Sequence, residues 1–202
     1  MAVQKLIRFP RPSLREPCRE VVFPLTKEVL NHLQDLRDTL ATIPSGVGLA
    51  SNQILERGWR IFVTRKDLLV PYRPTNDGPP IRRGGKFYMP IPEIFINPEW
   101  EPYPPTVNDQ RFENERPEHD GYVEGCLSIP ELAMLNKREY WAEVLYQDET
   151  GRQFVWYGRS LAARIIQHEC DHLAGKLLFD YAPRALQSKV RVAAMRNRKR
   201  GE

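Results

Sequence analysis

The sequence predicts an α+β fold, because helical and strand patterns both occur and the clearest pair of strands is antiparallel. Residues 26–42 repeat apolar side chains at helical spacing, which is typical of a surface helix packed on a core. Residues 140–147 and 153–157 resemble strands and are joined by the turn sequence DETG, so they predict a β-hairpin. Residues 160–174 form a second helical pattern.

Capping and breaking residues mark the ends of these elements. Thr26 and Ser160 precede the two helical patterns, where a hydroxyl can accept a hydrogen bond from the first turn. Gly175 follows the second pattern and can end a helix in the left-handed conformation. Residues 94–97 predict a short strand that Pro98 ends, since proline has no N–H for a strand ladder.

The length of 202 residues and the hydrophobic content of 41% predict one main domain with its own core. We expect this domain to cover residues 1–183. Within it, residues 71–120 form an insertion and an acidic loop, because prolines and glycines leave no regular pattern between residues 71 and 92. Residues 184–202 predict a basic amphipathic helix and tail.

The net charge of +4 is unevenly distributed along the chain. From Arg184 onward there are seven basic residues against Glu202, so this segment carries +6 and the rest of the chain −2. The basic charge therefore suggests a polyanionic surface that binds the tail, and not an anionic substrate that binds the body. The odd number of cysteines, 3, and the lack of a long apolar run predict reduced thiols and a cytoplasmic protein that does not enter a membrane.

The sequence HECDH at residues 168–172 is an HExxH motif inside the second helical pattern. His168 and His172 are four residues apart, so both imidazoles lie on one face of a helix and can bind one metal ion. Glu169 is about 100° further round the helix and can act on a ligand of the ion. Two histidines at this spacing by accident are a weaker explanation, since histidines on a buried helix face need partners.

A catalytic metal site of this kind usually has three protein ligands and one open position. The residues after the motif offer no suitable third ligand, because Leu178 stands where some metallopeptidases have a histidine. The upstream candidates are Cys126, His119 and His32. Cys126 is the best of them because it lies between small residues, whereas His119 lies in the acidic loop and His32 off the apolar stripe of the first helix.

Three segments together resemble the motifs of peptide deformylases, and they occur in the same order. They are GVGLASNQ at residues 46–53, EGCLS at residues 124–128 and QHECDHLAG at residues 167–175. The resemblance extends over nearly the whole chain to about residue 180. Two features depart from the family pattern: Ser51 replaces the usual alanine, and the stretch between the first two motifs is longer than in compact members.

The resemblance implies antiparallel strands wrapped around the helix that carries HExxH, and a divalent metal bound by Cys126, His168 and His172. Ferrous iron is the metal that the resemblance favours, and nickel, cobalt and zinc also suit two histidines and a cysteine. Water bound to the ion attacks the formyl group of an N-formylmethionyl nascent peptide, and formate is released. Glu169 is the implied general base.

The resemblance also implies the groups that bind the substrate. The side-chain amide of Gln53 and the backbone N–H of Leu127 stabilise the negative charge that develops on the formyl oxygen. Three residues are expected to pair with the peptide as an added strand, and Ile165, one turn before His168, is expected to line the pocket for methionine. The strand-pairing residues are Val47, Gly48 and Gly125.

Two other functions are weighed against this one. An HExxH metallopeptidase that cleaves internal peptide bonds would need a downstream ligand, which the sequence lacks. An RNA-binding or ribosome-binding module is supported only by the basic tail, and charged terminal helices are commonly just solvated. For a deformylase, the same tail suggests docking on the ribosome.

Overall fold

The computed structural model describes residues 2–65, 69–71, 81–83, 86–102 and 122–200. Four helices and ten strands lie in these ranges. The helices are α1 (Lys27–Ala41), α2 (Leu161–Leu173), α3 (Leu178–Tyr181) and α4 (Arg184–Arg200). The strands are β1 (Gly48–Ala50), β2 (Ile61–Thr64), β3 (Leu69–Pro71), β4 (Ile81–Arg83), β5 (Lys86–Pro90), β6 (Ile94–Pro102), β7 (Val123–Cys126), β8 (Ile129–Leu135), β9 (Trp141–Gln147) and β10 (Gln153–Arg159). Short 3-10 turns occupy Pro12–Arg15 and Ser51–Gln53.

The strands form antiparallel sheets, which confirms the predicted α+β class. The main sheet has the order β1-β2-β6-β9-β10, and all its neighbours are antiparallel. The smaller sheets are β3-β5-β4 and the hairpin β7-β8. The predicted hairpin is confirmed as β9 and β10, in which Gln147 pairs with Gln153 and Trp141 with Arg159.

Helices α1 and α2 cover opposite faces of the main sheet. In β2, Ile61 and Val63 pack with Leu33 of α1, whereas Phe62 packs with Ile166 of α2. Side chains alternate between the faces of a strand, so every residue of β2 is buried. This strand therefore has a covered side chain on each face, and its position fixes α2 relative to α1.

The two predicted helix starts differ in their capping. The Thr26 hydroxyl accepts a hydrogen bond from the Val29 N–H at 3.3 Å, as predicted. Ser160 precedes α2 but makes no capping hydrogen bond with its side chain, so that prediction is wrong. Its backbone has φ 52°, and its N–H donates to the Tyr140 carbonyl, because the chain turns sharply there from β10 into α2.

The prediction that Pro98 ends a strand is also wrong, because β6 continues to Pro102. The register of β6 against β9 shifts between Ile96 and Glu99, and Asn97 in this bulge has φ 47°. A bulge leaves a residue outside the ladder, so the missing N–H of Pro98 breaks no pair. The strand bends at this point and then resumes.

The sequence predicted no regular structure in residues 71–92, and for the described part of this range that prediction is wrong. The short strands β3, β4 and β5 form a small antiparallel sheet in which Leu69 pairs with Pro90 and Ile81 with Tyr88. Pro71 and Pro90 stand at strand ends, where a missing N–H is tolerated. Most of the predicted acidic loop lies outside the described residues.

The C-terminal helix α4 begins at Arg184, as predicted, and packs on a core cluster beside β8. Val190 and Ala194 are buried, and Val190 packs in the cluster that contains Ile129 and Leu132 of β8. No helix among the described residues is long and apolar enough to cross a membrane.

Gly175 ends α2 with φ +73°, and a Cβ there would lie 2.3 Å from the carbonyl oxygen of Arg15. We therefore expect Gly175→Ala to lower the free energy of unfolding by at least about 2 kcal/mol, since left-handed backbone and a backbone clash add up. Denaturant unfolding would measure the change. Gly125→Ala is the control, because its Cβ meets nothing closer than 4.0 Å and should cost less than about 1 kcal/mol. Equal losses in the two variants would contradict this prediction.

Candidate metal and active site

Helix α2 carries the motif residues on a buried surface that faces β1 and the β7-β8 hairpin. His168, Glu169 and His172 are 9%, 3% and 1% exposed. Burial of three polar side chains in one helix requires partners for them. The partners of the two histidines come from β7, which supplies Glu124 to His168 and Cys126 to His172.

Cys126, at the end of β7, lies beside the two histidines. One potential ligand atom from each of Cys126, His168 and His172 lies within 4.8 Å of the others. The Cys126 Sγ is 3.3 Å from His172 Nε2, and the centroids of the two imidazole rings are 4.9 Å apart. The structure thus brings Cys126 next to two histidines that follow it by 42 and 46 positions in the sequence.

Glu124 holds His168 in position from the opposite side of its ring. The Nδ1 of His168 is 2.7 Å from Glu124 Oε1, which leaves Nε2 as the nitrogen that can bind a metal. Arg138 donates to the same carboxylate at 2.7 and 3.1 Å, and Arg164 donates at 2.9 Å. Although burial opposes ionisation, the hydrogen bonds from His168 and Arg138 hold the pKa of Glu124 below its usual range.

The same arginine extends this network to Asp171 on α2. Arg138 donates to Asp171 Oδ2 at 2.6 Å, and Tyr181 donates to that oxygen at 2.9 Å. Asp171 therefore points away from the ligand group and into an ion pair. Its carboxylate is engaged in holding the helix to Arg138, which is a structural task.

Glu169 lies against β1, where only glycine leaves room for it. A Cβ on Gly48 would be 2.5 Å from Glu169 Oε1. Burial raises the pKa of the Glu169 carboxyl to about 7. Its Oε2 is buried with no hydrogen-bond partner among the described residues, so one acceptor of this carboxylate is unsatisfied.

The side chain of Gln53 is hydrogen-bonded to the turn after Cys126. The Gln53 side chain accepts a hydrogen bond from the Ala50 N–H at 2.8 Å and donates to the Ser128 hydroxyl at 3.1 Å. The bond to Ser128 joins the turn Ser51–Gln53 to the turn between β7 and β8. Leu127 lies in that second turn, next to Cys126.

The sequence matches a known protein family over most of its length. The sequence model of the polypeptide deformylase family matches residues 3–188. A peptide deformylase of Hyphomonas neptunium is 30% identical over 190 residues, which are 94% of this chain and 90% of that protein. A peptide deformylase 2 of Corynebacterium efficiens is 32% identical over 181 residues, 89% of this chain and 80% of that protein. The chain belongs to the polypeptide deformylase family.

Solved structures of deformylases share the fold. The Thermotoga maritima peptide deformylase superposes with a TM-score of 0.63 at 26% identity, over 91% of this chain and all of that one. The Ehrlichia chaffeensis enzyme in complex with actinonin gives 0.70 at 22% identity over 98% of each chain. This deformylase thus removes the N-formyl group from nascent peptides, and neither a peptidase nor a separate RNA-binding module is favoured.

The residues of this deformylase fit a metal ion. One thiol and two imidazoles form a donor set typical of a divalent transition metal. Glu124 supplies the carboxylate that orients a ligating histidine through its other nitrogen. The unpartnered Glu169 Oε2 adds an unsatisfied acceptor on the residue next to His168.

The other predicted site residues lie on different elements of the structure. Gly48 and Gly125 lie on β1 and β7, and Val47 is 37% exposed just before β1. Ile165 is 4% exposed and packs in the core cluster with Phe62. His119 lies outside the described residues.

His32 is not exposed, which corrects the assumption that it lies off the buried face of α1. It is 7% exposed and binds the Ser51 hydroxyl, and it is not part of the group Cys126, His168 and His172. Sequence reasoning assigned no role to Glu124, Arg138 or Arg164. Arg164 is four residues before His168 and so lies on the same helix face, and that spacing was the available signal.

We expect Cys126→Ala to lose its metal, falling from about one ion per chain to near zero, because three ligands are the usual minimum of such a site. Metal analysis of the purified protein would measure it. Cys170→Ala is the matched control on α2, since Cys170 is not part of the ligand group and burial raises the pKa of its thiol. Full metal content in Cys126→Ala would overturn the assignment.

Proposed function

We propose that this deformylase hydrolyses the formyl amide with a water molecule from which Glu169 takes a proton. The observation that carries the proposal is the buried Glu169 carboxylate beside the group Cys126, His168 and His172. These three side chains would hold a divalent ion, which would supply a lower pKa for the attacking water and polarisation of the formyl carbonyl. Glu169 then passes the proton to the departing amine nitrogen of methionine.

The environment of Glu169 supports this role. A general base works best when its pKa is close to the working pH, and burial brings the pKa of the Glu169 carboxyl to about 7. The absent side chain at Gly48 lets the carboxylate lie directly against β1. The base is therefore close to the strand on which we place the substrate.

Gln53 and Leu127 are proposed to stabilise the charge on the formyl oxygen. The Gln53 amide has two hydrogens, of which one is used on Ser128. The other can donate to the formyl oxygen, together with the Leu127 N–H in the turn after Cys126. Donors held in place before the reaction need no rearrangement as the charge grows.

The peptide is proposed to bind as a strand between β1 and β7. In the described sheets β1 pairs only with β2, and β7 only with β8, so each has an edge. Val47, Gly48 and Gly125 are our candidates for backbone pairing. Ile165 stays a prediction for the methionine pocket, based on its position one turn before His168.

For the native metal we follow the resemblance to deformylases, and for the compartment the state of the cysteines. We propose ferrous iron as the native ion, with nickel, cobalt and zinc as other ions that two imidazoles and one thiolate accommodate. A cytoplasmic location is supported by three unbridged cysteines, Cys18, Cys126 and Cys170, since reduced thiols are usual there. Substrates still on the ribosome are met in the same compartment.

Glu169→Ala tests the mechanism. We expect it to retain its metal while kcat on a formyl-methionyl peptide falls by about 10²- to 10⁴-fold, the usual contribution of a positioned acid or base. Formate release and metal content would be measured on the same anaerobically purified sample. Glu143→Ala on β9 is the control and should keep both. A loss smaller than about tenfold in Glu169→Ala, with metal bound, would show that another group moves the proton.

Helix α4 is proposed to dock on the ribosome. Arg184, Lys189 and Arg196 are exposed, while Val190 and Ala194 face the core. Removal of residues 184–202 would uncover that core. Substitution of the exposed charges therefore tests docking more cleanly than truncation.

We expect Lys189→Gln/Arg196→Gln to bind ribosomes more weakly. The log–log slope of affinity against salt should fall by roughly 1 for each phosphate that the helix no longer binds. Activity on a short formylated peptide should not change. Lys27→Gln/Lys176→Gln removes the same charge elsewhere and is the control. Ribosome affinity equal to that of the wild type at moderate salt would contradict docking by α4.

A further inference from the structure

A buried polar pair joins α1 to the turn that carries Gln53. His32 on α1 and Ser51 on the turn are 7% and 0% exposed. The His32 Nε2 is 2.7 Å from the Ser51 Oγ. The rest of the buried face of α1 is largely apolar and packs in the cluster around Leu33 and Leu36.

The Ser51 hydroxyl has a second partner from the segment before β2. The Trp59 N–H donates to Ser51 Oγ at 3.0 Å, and the centroids of the His32 and Trp59 rings are 5.1 Å apart. A Cβ on Gly58 would lie 2.6 Å from Ser51 Oγ and 2.9 Å from the Asn52 nitrogen. The returning chain thus packs closely against the turn.

The chemistry of the Trp59, Ser51 and His32 groups limits the directions of these hydrogen bonds. The Trp59 backbone N–H can only donate, so the Ser51 hydroxyl hydrogen remains for another acceptor. Burial lowers the pKa of His32 to about 4, so its ring is neutral at pH 7 and Nε2 can accept. The Ser51 hydroxyl therefore accepts from Trp59, and it donates to His32 when the hydrogen of the neutral ring is on Nδ1.

Ser51 and Gln53 are the first and last residues of one 3-10 turn. The Ile54 and Leu55 N–H groups donate to the Ser51 carbonyl, and the Ile7 N–H donates to the Gln53 carbonyl at 2.7 Å. A shift of the Ser51 side chain would therefore rotate the turn and the Gln53 amide with it. Small displacements of a catalytic group of this kind are costly in rate.

We propose that His32 and Ser51 are positioning residues, which hold the turn Ser51–Gln53 so that the Gln53 amide faces the formyl oxygen. The inference rests on the proposed role of Gln53. It assigns the two buried residues an effect on the reaction that acts through Gln53 alone. In this proposal neither Ser51 nor His32 contacts the substrate.

The test is a double-mutant cycle between Ser51→Ala and Gln53→Ala, with kcat, KM and metal content measured for each enzyme on a formyl-methionyl peptide. Ser51→Ala should lower kcat by about 10- to 100-fold and leave KM and metal content within about twofold. In the Gln53→Ala background the same substitution should change kcat by less than about twofold, because the group that it positions is gone.

Two further variants separate positioning from stability. His32→Leu should lower kcat as Ser51→Ala does, whereas His32→Gln, whose side-chain amide can still bond to the hydroxyl, should retain most of the rate. Thr39→Val is the control on the same helix: Thr39 is 1% exposed and its hydroxyl accepts from the Gln4 N–H, so the unfolding midpoint should fall while kcat does not. If Ser51→Ala does not fold, the pair His32→Leu/Ser51→Ala fills the site with apolar groups and takes its place in the cycle.

Each outcome decides the question. Decreases in kcat from Ser51→Ala and Gln53→Ala that multiply in the double variant would overturn positioning and leave the role of Gln53 intact. An unchanged kcat in Ser51→Ala would also overturn it. An unchanged kcat in Gln53→Ala alone would instead remove the proposed role of Gln53, and this inference with it.

Discussion

The carboxylate of Glu124 is the point on which the site depends. It is 5% exposed and forms hydrogen bonds with His168, Arg138 and Arg164. A buried carboxylate without such partners would be strongly destabilising. Because Glu124 is two residues before Cys126 on β7 and His168 is on α2, this ion network joins the strand that carries one proposed ligand to the helix that carries the other two.

Close approach of backbones is the second constraint. A Cβ on Gly48 would lie only 2.5 Å from Glu169 Oε1, so the glycine leaves space for that carboxylate. Gly175 in the same way leaves space for the carbonyl of Arg15. Each glycine thus lets α2 or the segment after it meet a neighbouring chain segment without a side chain between them. The residues of β2 are all buried, and the strand packs between α1 and α2, so it limits the positions that α2 can take.

The polar groups of the site are distributed over elements far apart in sequence, and two of them, His168 and Gln53, are held by groups to which we assign no part in the reaction. Glu124 orients His168, and Ser128 binds the amide of Gln53. The two turns that carry Gln53 and Leu127 are joined through that last hydrogen bond. Rigidity of this kind is what places donors before charge develops on a substrate.

Sequence alone determined the α+β class, the hairpin of β9 and β10, the end of α2 at Gly175 and the ligand candidates on HExxH. These features depend on periodicity, turn chemistry and spacing along one element, which are local properties. Tertiary structure decided that His32 is buried against Ser51, that β6 passes Pro98 through a bulge, and that Arg138 and Arg164 hold Glu124. Those outcomes depend on which distant segments pack together, because a polar side chain is paired or exposed according to neighbours that its own sequence does not specify.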